Sequence, residues 1–369
     1  MKKGSALSLT IFILSLLLVT QFDLVIAGVS KWINEDYVKT QEFVFNQNNN
    51  FEYRAEIITM DDAYVIVDPT EIKYINSQGN PVWKKDLASE NVAVAGGKKI
   101  IVLSERKAGD VFVLNSKGEI TAKVMGLGTV RQIKVFDDKY VGVLKEDSSL
   151  VLLDTKMNLV STTQLPKGEI LDFDLNIKSQ DIVAILLDLS RKEFNTKLVL
   201  ASINGNISSG SNLTQEIAYE MVIDEDRINV LVDSALLSYD YKGTLETRIP
   251  IERTISQFLF HEKSDLIWIY VVNSVNDLSS PQKGNEILIF DSNGNTVAAF
   301  EPPFDEISGL AEFGDLVIVF GNRDIAVIDA AGKVLERYIG KDDIQKIHSI
   351  DNKSFGVEYN NRLEIYVKK

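Results

Sequence analysis

The sequence predicts an all-β fold, an eight-bladed β-propeller of four-stranded antiparallel blades, preceded by an N-terminal membrane helix. Three observations support this prediction. A hydrophobic run that ends in a glycine turn recurs along the chain, its copies lie 38 to 51 residues apart, and helical patterns are almost absent after residue 40. Repeats of this length that contain four short strands are typical of propeller blades.

The first element is an uncharged stretch at residues 4–22, which follows Lys2 and Lys3. Nineteen helical residues rise about 28 Å, close to the hydrocarbon thickness of a bilayer. The positive end should stay in the cytoplasm, so the body of the protein lies outside it. We therefore assign residues 1–30 to a signal anchor and residues 31–40 to a stalk. A signal peptide that is cleaved near Ala27 is the alternative, and it also exports the body.

Glycine turns define the repeat after residue 40. Aligning the recurrent phrases places one turn residue in each of seven units: Gly79, Gly118, Asn158, Gly205, Gly243, Gly294 and Gly332. A tight hairpin needs a positive backbone φ, which glycine and asparagine adopt at little steric cost. The run before each turn is rich in β-branched and aromatic residues and ends in Asn or Asp in most units, which indicates a strand that enters a turn.

Each glycine turn lies between the third and fourth strands of a four-stranded unit. Eight units are expected within residues 41–369, and they begin near Tyr53, Asn91, Gln132, Leu171, Ala218, Gln257, Ile307 and Lys346. The middle strands are apolar throughout, as in sheets that neighbouring blades cover on both faces.

The eighth unit ends after its third strand, which would leave an exposed sheet edge. We expect the N-terminal segment at residues 42–46 to supply the missing outer strand and to close the ring. This closure predicts that Phe43 and Phe45 pair near Ile365 and Val367.

The phrase YINSQGNPVWKKDL at residues 74–87, with its Asn-x-x-Gly turn and Trp83, resembles the pyrroloquinoline-quinone-like propeller repeat. The resemblance covers residues 41–369, and the whole layout resembles membrane-anchored bacterial propellers of unknown function. It implies either a quinone-dependent alcohol dehydrogenase or a non-enzymatic scaffold of the outer-membrane-assembly type. In the enzymes the tryptophan recurs in most blades and the quinone stacks on a vicinal disulfide. Here cysteine is absent and the equivalent positions hold other residues: Ala122, Thr162, Thr247, Ala299 and Glu336.

The amino-acid composition also disfavours several classes of function. The net charge of -14 disfavours nucleic acid as a partner. The chain has no cysteine and two histidines, His261 and His348, which we expect at solvent-facing strand ends. No pattern marks a catalytic residue, a cofactor site or a metal site.

Two loops between second and third strands are longer than the others, at residues 188–197 in the fourth blade and 273–286 in the sixth. Loops of this kind gather on one face of a propeller, and binding residues concentrate in loops on rigid scaffolds. The candidate binding residues are Arg191, Lys192, Phe194, Asn276, Asp277 and Leu278. Neutral surface insertions are the alternative, since loops tolerate added length at small cost.

These observations favour a non-catalytic scaffold outside the cytoplasm. Its expected partner is another envelope or membrane protein, or a polymer of the cell envelope. Two alternatives stay open. One is an enzyme that binds a quinone or a sugar in the central channel, and the other is a ligand sensor that signals through the membrane helix.

Overall fold

The computed structural model describes residues 37–45, 55–89, 91–188, 195–273, 284–350 and 353–369. Within these residues, 32 strands form eight separate four-stranded antiparallel sheets. The first strands of neighbouring sheets contact one another at seven of the eight junctions, including that of sheets one and eight, and a shared hydrophobic cluster joins sheets five and six. The chain is therefore an eight-bladed propeller, as the repeat predicted.

The N-terminal strand is β1 (Tyr37–Val44). The strands of blades one to four follow in order: β2 (Glu56–Thr59), β3 (Ala63–Val67), β4 (Glu71–Asn76), β5 (Pro81–Asp86), β6 (Val92–Gly96), β7 (Ile100–Glu105), β8 (Asp110–Asn115), β9 (Ile120–Val124), β10 (Val130–Phe136), β11 (Tyr140–Lys145), β12 (Ser149–Asp154), β13 (Leu159–Gln164), β14 (Glu169–Asn176), β15 (Asp181–Asp188), β16 (Asn195–Ser202) and β17 (Ile207–Thr214).

Blades five to seven have four consecutive strands each, and blade eight has three of its own. These strands are β18 (Ala218–Ile223), β19 (Ile228–Val232), β20 (Ala235–Tyr239), β21 (Leu245–Pro250), β22 (Thr254–His261), β23 (Leu266–Val272), β24 (Glu286–Asp291), β25 (Thr296–Phe300), β26 (Gly309–Phe313), β27 (Leu316–Phe320), β28 (Asp324–Ile328), β29 (Val334–Ile339), β30 (Ile344–Ser349), β31 (Ser354–Tyr359) and β32 (Arg362–Lys368).

The antiparallel order gives the ring two different faces. The connection from strand one to strand two and the connection from strand three to strand four lie at one end of each blade, which we call the turn face. The connection from strand two to strand three and the connection to the next blade lie at the other end, which we call the loop face. The first strand of each blade is innermost and the fourth forms the outer wall.

Blade eight takes its outer strand from the N-terminal side of the chain. Strand β1 pairs antiparallel with β32, so that Tyr37 lies opposite Lys368 and Phe43 opposite Leu363. The strand begins at Tyr37, inside the segment that we assigned to a stalk. Because β32 extends to Lys368, its partner strand must begin as early as Tyr37 to pair along the whole of β32.

Phe43 and Phe45 pack in one hydrophobic cluster with Ile365 and Val367, as predicted, but they do not lie directly opposite them. Gln41, not Phe43, lies opposite Ile365, and Val38, not Phe45, lies opposite Val367. The earlier start of the strand moves both phenylalanines toward the other end of β32. The backbone N–H of Phe45 donates to the carbonyl of Asn361, 2.9 Å away.

The predicted glycines occupy the turn position with positive φ, between 77° and 87°. Blade three is different, because Met157 (φ 64°), not Asn158, takes this position, and its N–H donates to the carbonyl of Asp154 at 2.9 Å. In these turns the residue with positive φ is the third after the Asn or Asp that begins the turn. The sequence alignment placed Asn158 at this position, which is one residue too late. The Met157 side chain is buried between blades two and three, and this burial offsets its backbone strain.

Each turn packs against the outer strand of the preceding blade. In blade two, a Cβ added to Gly118 would lie 2.9 Å from the Trp83 ring of blade one. Trp83 stacks on Tyr74 with a centroid distance of 5.5 Å and donates its Nε1–H to the carbonyl of Ser116 at 2.8 Å. Trp83 therefore joins blades one and two.

The strand registers correct two of the positions equivalent to Trp83. Each outer strand has a bulge just after its turn, and counting from that bulge gives Ser161 in place of Thr162 and Ala298 in place of Ala299.

We expect Gly118→Ala to destabilise the protein by about 2–3 kcal/mol, because alanine there has a left-handed backbone and also meets the Trp83 ring. Gly126→Ala is the matched control, since Gly126 has φ 73° but no atom within 4 Å of an added Cβ. It should cost about 1 kcal/mol through the backbone alone. Urea unfolding measures both values, and equal losses would contradict the role of the Trp83 contact.

No helix within the described ranges is long and apolar enough to cross a membrane. The expected membrane segment at residues 4–22 lies outside the described residues.

Candidate functional site

The six candidate binding residues, Arg191, Lys192, Phe194, Asn276, Asp277 and Leu278, all lie outside the described residues. The strands that flank their two loops are described. Asp188 at the end of β15 lies opposite Asn195 at the start of β16, and Val271 near the end of β23 lies opposite Glu286 at the start of β24. Both loops therefore leave their blades from the loop face.

Buried polar contacts hold the base of the blade-four loop. Asp188 is 6% exposed, and its carboxylate accepts a hydrogen bond from Lys197 Nζ at 2.6 Å. The Thr196 hydroxyl donates to the carbonyl of Glu216 at 2.8 Å and accepts from the N–H of Ala218 at 3.1 Å. The loop therefore begins and ends on a rigid support that also ties blade four to blade five.

The base of the blade-six loop is held in a similar way. Arg253 forms an ion pair with Glu286 and donates from Nη1 to the carbonyl of Gly284 at 3.1 Å. Asn285 donates to the carbonyl of Asp305 at 3.2 Å, on the connection to blade seven. Neighbouring backbone therefore fixes the end of this loop as well.

An exposed aromatic residue stands on the loop face between blades four and five. Tyr219 is 47% exposed, and it is the bulged residue between Ala218 and Glu220 in β18. The bulge turns the Tyr219 side chain outward from an otherwise buried strand start. Exposed tyrosines of this kind are enriched among the residues that contribute most to protein binding. No local sequence pattern indicates this residue, because the bulge is visible only in the register between β18 and β19.

Carboxylates from several blades converge on the central channel. Asp174 of blade four interacts with Glu262 of blade six, and Glu220 of blade five interacts with Asp172 of blade four. Burial raises the pKa of Asp174 and of Glu220, and the neighbouring carboxylates raise both further. The inner wall of blades four to six is therefore acidic.

A lysine of blade three balances part of this charge. Lys134 Nζ forms an ion pair with Asp172 Oδ1 at 2.6 Å and lies 5.7 Å from the centre of the Phe173 ring. It lowers the pKa of Asp174 and of Glu220, but burial outweighs it. At blades three to five, the channel therefore places the Lys134 ammonium group beside several carboxylates that are partly desolvated.

These raised pKa values have a consequence for stability. Between the unfolded pKa, near 4.5, and the higher folded pKa of Glu220, the folded protein binds more protons than the unfolded chain. The contribution of Glu220 to stability should therefore increase as the pH falls through its folded pKa toward 4.5. We expect Glu220→Gln to raise the melting temperature at pH 7 by about 1–3 °C and to weaken this pH dependence. The exposed control Glu252→Gln should change neither, and a lower melting temperature for Glu220→Gln would contradict the prediction.

Both histidines are buried, so the prediction of solvent-facing strand ends is wrong. His261 is 2% exposed, with Nε2 3.2 Å from the carbonyl oxygen of Leu316 in the next blade. His348 is 6% exposed and pairs with Glu358 at 2.7 Å, and burial lowers the pKa of its ring. Each histidine ring lies beside a polar group that no local sequence pattern predicts. Among the described residues, no three His, Cys, Asp or Glu side chains are grouped so that they could hold a metal ion.

The model of the family described as "Family of unknown function (DUF5711)" matches residues 35–366. No curated protein matches the chain. Among solved structures, the crystal structure of BamB from Moraxella catarrhalis is similar, with a TM-score of 0.57 and 11% sequence identity. The match covers 90% of this chain and 99% of the BamB chain, and it shows a common propeller fold.

Proposed function

Since this chain belongs to the DUF5711 family, whose function is unknown, we propose a function from its own geometry. The protein is a non-catalytic scaffold that is held outside the cytoplasm by its N-terminal segment and binds another envelope or membrane protein through its loop face.

The observation that carries the proposal is the contrast between the two faces. The described turns of the turn face are short hairpins that repeat from blade to blade. The loop face has the two enlarged loops at residues 188–197 and 273–286, the rigid bases that hold them, and the exposed ring of Tyr219. A rigid ring that presents long loops on one side is a suitable scaffold for protein recognition.

The direction of β1 determines which face of the ring lies nearer to the N-terminal segment. Tyr37 begins β1 at the turn face, and Val44 ends it at the loop face. A membrane segment at residues 4–22 would therefore reach the ring from the turn face. In this arrangement the loop face points away from the tether, where it is open to a partner.

The similarity to BamB supports the propeller fold on which the proposal depends. The departures from the quinone enzymes support a scaffold further, because Trp83 has no aromatic counterpart at the five equivalent positions and the chain has no cysteine.

The test captures the partner of the full chain by crosslinking at the cell surface, followed by mass spectrometry. We compare the native chain with three variants: residues 273–286 shortened to a four-residue turn, Tyr219→Ala, and the turn-face control Lys242→Ala. We expect one protein to be captured by the native chain and by the control, and to be lost from the other two variants while they stay folded. Equal capture by all four chains, or capture of envelope polymer alone, would contradict the proposal.

The channel favours a second candidate function, in which a small cationic or polyhydroxylated ligand binds between Lys134 and the carboxylates Asp174 and Glu220. Such a site would serve an enzyme or a sensor. Native mass spectrometry of the purified full chain tests it. A bound small molecule that Lys134→Ala releases would support this function, and a chain of bare mass would contradict it.

A further inference from the structure

The outer walls of the eight blades differ in how well their strand edges are protected. Most outer strands carry charged residues, such as Lys84 and Lys85 in β5 and Glu336 in β29. Charges on an edge strand prevent it from pairing with the edge of another molecule. Three outer strands carry none: β13 with six residues, β25 with five and β17 with eight.

Strand β17, ISSGSNLT, is the longest of the three, and it also contains no proline. Eight residues of strand extend about 26 Å. The neighbouring outer strand, β13 of blade three, is also uncharged and exposes Leu159 by 65%. Blades three and four therefore form a continuous uncharged part of the outer wall, although the chain as a whole has a net charge of -14.

Contacts with blade five hold β17 in a fixed position. The turn of blade five packs on the backbone of Gly210, so that a Cβ added to Gly243 would lie 3.4 Å from the Gly210 carbonyl carbon. The Ser211 hydroxyl donates to the carbonyl of Gly243 at 2.6 Å. The strand is thus ordered by contacts on its face, while its outer edge has no neighbouring strand in the sheet.

We propose that β17 pairs antiparallel with β17 of a second copy of this chain, which joins two propellers through a continuous eight-stranded sheet. The charge of the chain favours a second copy at this strand edge. Two chains that each carry a charge of -14 repel one another, and the wall of blades three and four is where they can approach without opposing like charges.

The sequence of β17 suits pairing with itself. A two-fold axis through Ser211 places Ile207 and Ser208, at the bulge, opposite Thr214, and it brings these side chains to one face of the sheet. These are β-branched or small hydrogen-bonding residues, which form favourable cross-strand pairs. Both copies use the same surface, so the contact closes as a dimer and does not extend into a filament.

The oligomeric state of the full chain in detergent tests the proposal, by sedimentation equilibrium under density matching. We expect reversible dimers at micromolar concentrations. Asn212→Lys/Thr214→Lys places two exposed lysines on β17 and should weaken dimerisation at least about tenfold. The matched control, Val297→Lys/Ala299→Lys, places two exposed lysines with the same spacing on β25 and should leave it unchanged.

Spin labels locate the contact, because the chain has no cysteine and a single introduced one is unique. Labels at Asn212→Cys should lie within about 20 Å of each other across the dimer, since paired strands are about 5 Å apart. Labels at Ala299→Cys should lie much farther apart. A chain that stays monomeric, which would leave the edge to a strand of another protein, would overturn the proposal. A dimer that the β17 lysines do not weaken would overturn it too.

Discussion

Replacing Tyr37 by alanine is expected to destabilise the propeller by about 3–5 kcal/mol, the cost of truncating a large buried aromatic residue. Tyr37 is 5% exposed, and its ring lies 5.5 Å from Tyr338, 5.3 Å from Phe355 and 6.0 Å from Phe313 between ring centroids. Tyr37 occupies the place that a hairpin turn takes in the other blades. Because no hairpin joins β32 to β1, these aromatic contacts hold the closing strand.

Urea unfolding of the native chain and of Tyr37→Ala measures this effect. Val38→Ala is the control, because Val38 lies on the same strand but is 42% exposed and should cost less than about 1 kcal/mol. Hydrogen exchange should also show that β1 loses protection in Tyr37→Ala before the other blades do. A loss that is equal in the two variants would contradict the closing role of Tyr37.

The second large effect is expected for Lys39→Met, at about 3 kcal/mol near pH 7. Lys39 Nζ contacts Glu364 Oε1 at 2.8 Å, and the Glu364 side chain is 2% exposed. Arg362 Nε and the Tyr366 hydroxyl also donate to this carboxylate, at 2.9 and 2.8 Å. Removing Lys39 leaves a buried charge with two of its three partners, which is more costly than losing an exposed pair.

The pH dependence separates this effect from a loss of packing. Burial alone would raise the pKa of Glu364, but the hydrogen bonds from Lys39, Arg362 and Tyr366 outweigh it and lower the pKa. The stabilisation is therefore complete above about pH 4.5 and is lost as the pH falls through the folded pKa.

The difference in unfolding free energy between Lys39→Met and the native chain should therefore shrink below pH 4.5. Glu42→Gln is the control, because it removes the exposed partner of Lys39 and should cost less than about 0.5 kcal/mol. A pH-independent loss in Lys39→Met would assign the effect to packing.

The blade count was predictable because its signals are local. A glycine with positive φ and the run of β-branched residues before it specify one hairpin wherever they occur, and seven copies can be counted without knowing which strands meet. Met157 shows the limit of this reasoning, since it adopts the glycine conformation while its side chain is buried in the hydrophobic cluster that blades two and three share.

The features that depend on distant strands were not predictable. The register of β1 is set by β32, more than 300 residues away, and the one-residue bulge between Lys39 and Gln41 changes it again. The acidic channel arises because the inner strands of blades four to six converge, so the Glu262 carboxylate lies near enough to Asp174 to raise its pKa. The candidate loops were recognised by their length, whereas Tyr219 depends on a bulge that has no sequence signal.

The labelling of one cysteine on each face of the ring in intact cells tests the central claim most directly. The chain has no cysteine, so Lys167→Cys marks the loop face between blades three and four, and Lys242→Cys marks the turn face. A membrane-impermeant maleimide should reach both positions without lysis. It should label Lys167→Cys more slowly in cells than in the purified protein, because a partner covers that face, and it should label Lys242→Cys equally in both. Labelling that requires lysis, or an unchanged rate at Lys167→Cys, would contradict a scaffold outside the cytoplasm that binds through its loop face.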